Sequence, residues 1–261
     1  MNEETTAKSV SQVTYDMLNQ PGHDFFLKSR AIGARILQLY HTGSVSEILI
    51  RDDAAMQSAH RIHADLQALW VARPSTFAFL EDPQSLTAAL RVEFANTILS
   101  QLQLYLANYY AQFVDLHRVA FAASPGTVDV QTAVARILEI AKGAIAAAER
   151  RSNLARESPS RSSAGIDTSI ASPDRTASGP GYGLPVMMLW PLFLAATECG
   201  MADRTWIIHT MATVDEQSCP SIAQIKYLLE EVLRRQDLHG TRVDHRAVRK
   251  EICGDDLDGI Y

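Results

Sequence analysis

Apolar residues recur along this chain at steps of three and four, and no stretch alternates apolar and polar positions as a half-buried strand would. The pattern predicts an all-α, multi-helix bundle. Phe25, Phe26, Ile32, Ile36, Leu39 and Tyr40 mark a first helix that stops at His41-Thr42-Gly43, where glycine can take a left-handed C-terminal conformation. Ser44 and Glu47 have capping-box spacing for a short apolar helix through Ile50. Ala55, Ala59, Ile62, Leu66, Leu69 and Trp70 mark the next helix, which ends before Pro74. The longest expected element runs from about residue 86 to 122, with Phe94, Ile98, Leu102, Leu106, Tyr109, Phe113, Leu116 and Ala120 on one apolar face. Ser124-Pro125-Gly126 breaks it, and Val130, Val134, Ile137, Leu138, Ala141 and Ile145 resume the periodicity as far as Glu149. A helical hairpin is the simplest packing for these two.

Residues 152–181 contain eight serines, three prolines, three glycines and no aromatic residue, too little apolar surface to offset the entropy of ordering. This predicts a disordered insert at 152–182 inside one domain. A strongly apolar run, 184–199, follows it, then a helix over about 203–213, then one containing Ile222, Ile225, Leu228, Leu229, Val232 and Leu233. Gly200 and Gly240 are the expected stops. Pro191 should bend its helix or free a carbonyl. The resulting plan is a flexible N-terminus at 1–14, one helical domain at 15–238 and a C-terminal tail at 239–261.

Charge narrows the partners. The 261 residues carry 24 basic and 30 acidic side chains, a net charge of −6, and the basic clusters Arg234-Arg235 and Arg246, Arg249, Lys250 are short enough to read as solvated helix ends. Direct nucleic-acid binding is not expected. Three scattered cysteines, Cys199, Cys219 and Cys253, fit an intracellular, reducing compartment better than a disulfide framework, and the acidic start resembles neither a secretory signal nor a transit peptide. The longest uncharged apolar run is shorter than the ~20 residues a membrane span requires.

Catalytic signatures are missing. There is no Gly-x-Ser-x-Gly elbow, no phosphate-binding P-loop and no His-Glu-x-x-His pair. His60 and His63 are spaced to share a metal, but no third or fourth ligand converges on them. His117-Arg118, near the end of a long helix, complements the helix dipole or meets a partner. After Asp52-Asp53 the position a magnesium-binding helix needs is Met56, and Asp255, Asp256 and Asp258 sit in a glycine-flanked tail. The 179–183 glycine run has Pro180 in place of an amide donor and reads as linker. Ser158-Pro159 and Ser172-Pro173 are either kinase targets or ordinary disordered sequence, and the acidic-apolar end at 254–261 is either a segment that folds onto a partner or a solvated terminus. No catalytic, cofactor-binding or metal residue is assigned.

Tyr109-Tyr-Ala-Gln-Phe-Val-Asp-Leu-His-Arg-Val-Ala-Phe121, the helix at 130–141, and Leu184-Pro-Val-Met-Met-Leu-Trp-Pro-Leu-Phe-Leu-Ala-Ala-Thr-Glu-Cys199 with Arg204 and Trp206 together resemble the fungal-specific transcription factor domain. That is the regulatory region following the binuclear zinc cluster of many fungal activators, and the order matches across most of 15–238. The resemblance implies a nuclear, all-helical regulator of RNA polymerase II transcription that acts through protein partners, with room for a small-molecule effector or a homo-oligomer. The zinc cluster needs six closely spaced cysteines, and only three scattered ones occur. Either an upstream segment lies outside this sequence, or the chain is a stand-alone regulatory domain that relies on a DNA-binding partner. A generic helical interaction scaffold and an unrecognised helical enzyme are the alternatives. Met187, Met188, Trp190, Phe193 and Trp206 are the candidates to line an effector site, the competing reading being plain core.

Overall fold

The computed structural model describes residues 10–42, 53–121, 126–157, 184–214 and 219–253, and all regular structure among them is helical. The fold class matches the periodicity. Packing separates the chain into two compact units, 1–137 and 138–261, so the boundary falls within a helix rather than at the serine-rich stretch. The 15–238 span expected as one domain therefore contains two centres of packing.

In the first unit, α1 (Val10–Thr42) lies chiefly against α4 (Val92–Ala120), and α2 (Asp53–Val71) packs on both. Phe26 stacks on Tyr105, and further along both helices a Cβ at Gly33 would come within 2.4 Å of Gln112 Oε1. The two helices therefore run parallel. The buried positions of α1 are Gly22, Phe25, Ser29, Ile32, Ile36 and Leu39, and those facing them on α4 include Ala95, Ile98, Leu102, Tyr105, Tyr109, Gln112, Leu116 and Val119. Both sets alternate steps of three and four, the spacing that keeps one seam facing a neighbouring helix. Each large side chain buried there contributes about 1.5–3 kcal/mol. α2 runs the other way: His63 meets Phe113, the Tyr109 hydroxyl donates to the Leu66 carbonyl at 3.0 Å, and Trp70 stacks on Tyr109.

Several expectations change. α1 begins at Val10, inside the stretch expected to be flexible, and continues through Pro21. Gly22, beside that proline, lets the helix approach closely, since a Cβ there would lie 2.6 Å from Leu102 Cδ2. The element expected at 86–122 is two helices, α3 (Pro83–Ala89) and α4, because Leu90 and Arg91 turn extended at ψ 162 and 140. No glycine or proline marks that corner. α4 is not apolar on one face alone: almost every position from Leu104 to Val119 is buried, including Asn108, Gln112, Asp115, His117 and Arg118. Within the first unit its principal neighbour is α1.

α5 (Val128–Glu157) buries Val130, Val134, Ile137, Leu138 and Ala141 as its periodicity requires, and it extends six residues into the span assigned to the insert. The rest of that insert and the short helix expected at 44–50 lie outside the described residues.

The second unit holds α6 (Leu189–Glu198), entered through the 3-10 turn Val186–Met188, then α7 (Met201–Ala212), α8 (Ile222–His239) and α9 (His245–Cys253). Pro191 occupies the first turn of α6, where an amide has no partner within the helix, so it costs no hydrogen bond and forces no kink. Gly240 closes α8 at φ 63 as expected, whereas Gly200 sits at φ −72 as the residue before α7. α9 corrects the reading of 239–261 as a tail, and Arg246, taken for a solvated helix end, is buried. Among the described residues no helix is long and apolar enough to cross a membrane.

Candidate interaction site

α6 is apolar all round, and Leu189 and every residue from Pro191 to Thr197 are buried. A helix of that kind becomes the centre of its unit, and α7 and α8 pack on it and on each other. Phe193 is covered: Trp190 stacks on it at 5.5 Å and 10°, and the buried ring of His245 from α9 lies 5.5 Å from both. Trp190 is only partly buried, so this trio reaches the surface.

Polar side chains close the C-terminal end of α6. Gln236 of α8 donates to the Thr197 carbonyl at 3.1 Å and accepts from the Val243 amide at 3.4 Å, so one amide serves both a helix end and the loop before α9. Beside it, Arg242 donates through Nε and Nη2 to Glu198 Oε2 at 3.0 and 2.7 Å. The Glu198 side chain is 7% exposed and that of Arg242 17%, so the two charges are largely withdrawn from water as a pair. Arg204 pairs with Asp237 at 2.7 Å, tying α7 to α8. Arg235 reaches Glu231 at 2.6 Å and Glu251 at 2.7 Å, tying α8 to α9. Lys142 binds Asp203 at 2.8 Å and stands 5.2 Å from the Trp206 ring centre.

Titration follows these environments. Hydrogen bonds from Arg234 and then Arg235 pull Glu231 down to about 2. Burial pushes the Cys199 thiol up to about 11, so at neutral pH it is a protonated core residue rather than a nucleophile. The unit offers helix faces, fixed ion pairs and a half-exposed aromatic surface, a set of groups suited to contact with another macromolecule.

Residues 173–257 match the fungal specific transcription factor domain. No curated protein and no solved structure matches the chain. The match covers about a third of the sequence and takes in α6, α7, α8 and α9. It supports a role in transcription regulation. The 184–199 run, Arg204 and Trp206 fall inside it, while the segments at 109–121 and 130–141 lie outside.

The side chains singled out from sequence are dispersed. Met188 and Phe193 are core, Met187 is exposed, and Trp190 and Trp206 are half-buried. His63 contacts Asp129 at 3.0 Å, and His60 lies against Phe121. Among the described residues no group of three or more His, Cys, Asp or Glu could hold a metal. His117 and Arg118 are buried in the last turns of α4 rather than displayed to a partner. Asp52, Ser158, Ser172, the glycines at 179–183 and the 254–261 segment lie outside the described residues. Sequence reasoning missed Gln236, Arg242 and His245, isolated polar residues whose burial no local pattern announces.

Proposed function

We propose that this chain is a transcription regulatory domain of the fungal zinc-cluster activator type. It works in the nucleus through protein partners, or as part of a longer DNA-binding regulator of RNA polymerase II transcription. The observation that carries the reading is the 173–257 match, which falls on the tightly packed α6–α9 unit. The net charge of −6 and the engagement of Arg235, Arg242 and Arg204 in ion pairs support a partner other than nucleic acid. Regulation operates by population shift: an effector or protein that binds one packing of these helices better biases the exposed surface. The chain performs no catalysis in this reading and uses no cofactor. Tethering it to a heterologous DNA-binding module and reading a reporter tests the proposal. Changed transcription is expected, and an unchanged reporter from a folded, nuclear fusion across nutrient conditions argues for an interaction scaffold instead.

A further inference from the structure

The outer face of α1 carries a second regular pattern. Val13, Met17, Gln20, Asp24, Leu27, Ala31 and Ala34 alternate steps of four and three, opposite the buried seam, and every one of them is exposed, Met17 at 71% and Leu27 at 50%. This spacing keeps a stripe facing a single neighbouring helix. Both carboxylates of α1, Asp16 and Asp24, lie in its first half, and all its lysines and arginines, Lys28, Arg30 and Arg35, lie in its second.

We propose that this face pairs antiparallel with α1 of a second copy of the chain. A two-fold axis between residues 25 and 26 sets Asp24 beside Leu27 and within reach of Lys28 of the other copy, and Asp16 level with Arg35. The same register places Met17 against Ala34 and Gln20 against Ala31, so large side chains meet small ones. A parallel pairing would instead set Asp24 against Asp24 and Lys28 against Lys28, and repel. The antiparallel arrangement is isologous and closes on itself, so it yields a dimer and not a filament. Asp24 accepts from Gln20 Nε2 at 2.8 Å within the stripe, whereas Arg35 is drawn to Asp65 of α2 at 2.6 Å, so Asp24 and Lys28 carry the charge contact between copies.

The test is sedimentation velocity on the full chain across a concentration series, with circular dichroism confirming that each variant keeps its helix content. The wild type is expected to dimerise. Asp24→Lys and Lys28→Asp should each weaken dimerisation by about tenfold, and the combined swap should restore it by exchanging the two charges. Ala31→Arg, which fills a small position without touching the bundle seam, should also give monomer. A wild-type chain that stays monomeric, dimers indifferent to both single swaps, or a double swap as weak as the singles would overturn the pairing.

Discussion

Arg242→Met leaves the Glu198 carboxylate, 7% exposed, without the guanidinium that donates to it twice. Breaking a buried pair from one side costs about 3–5 kcal/mol because the remaining charge stays out of water, whereas replacing both partners by apolar groups is close to neutral. Arg242 keeps some solvent contact, so the lower end, about 3 kcal/mol, is expected for Arg242→Met. The Glu198→Met/Arg242→Met double variant should recover at least ~2 kcal/mol of that loss. Urea unfolding followed by tryptophan fluorescence measures it. A Trp70→Phe background restricts the signal to Trp190 and Trp206, both in the second unit. The midpoint should fall while the slope against urea stays constant. A loss below about 1 kcal/mol for Arg242→Met, with the double variant losing the sum of the singles, would refute the claim that this pair is buried and coupled.

Other consequences can be checked alongside. The Cys199 thiol, raised to about 11 from an ordinary 9.0, should alkylate about one hundredfold more slowly at pH 8 in the folded chain than in urea. Because its folded value is raised, its contribution to stability is complete below pH 9 and fades as the pH climbs through 11. Glu231 has the opposite sign: lowered from 4.5 to about 2, it supports the fold above pH 4.5 and loses that support as the pH falls toward 2. Glu231→Gln should therefore flatten the acid limb of the stability curve. Gly240→Ala should cost about 1 kcal/mol through its left-handed backbone although nothing crowds the new methyl, while Gly200→Ala at φ −72 should be tolerated. Paired thermal melts separate these two.

How far the sequence revealed this molecule depends on where its polar residues go. Ala59, Ile62 and Leu66, or Val130, Val134 and Ile137, were legible because each buried position is apolar and the period is unbroken. The corner at Leu90-Arg91 was not, since tertiary packing bends the chain there without a glycine or proline to mark it. α9 was hidden because two of its buried positions are His245 and Arg246, which a hydrophobicity pattern assigns to the surface. The same rule fails along α4, where Asn108 and Gln112 are buried and satisfy themselves by donating to the carbonyls one turn back. Of the interaction site, the apolar body of α6 could be read directly, but the Gln236 and Arg242 closure joins residues about 40 positions apart and has no local signature.

The central claim is that the α6–α9 unit regulates transcription, and it is tested most directly by a tethered reporter in which folding is varied independently of the DNA-binding module. The wild-type fusion should change reporter output, Arg242→Met should lose that effect in step with its loss of folded protein, and the Glu198→Met/Arg242→Met pair should regain it. A reporter indifferent to the folded wild-type chain, or an output unchanged when Arg242→Met unfolds the unit, would contradict it.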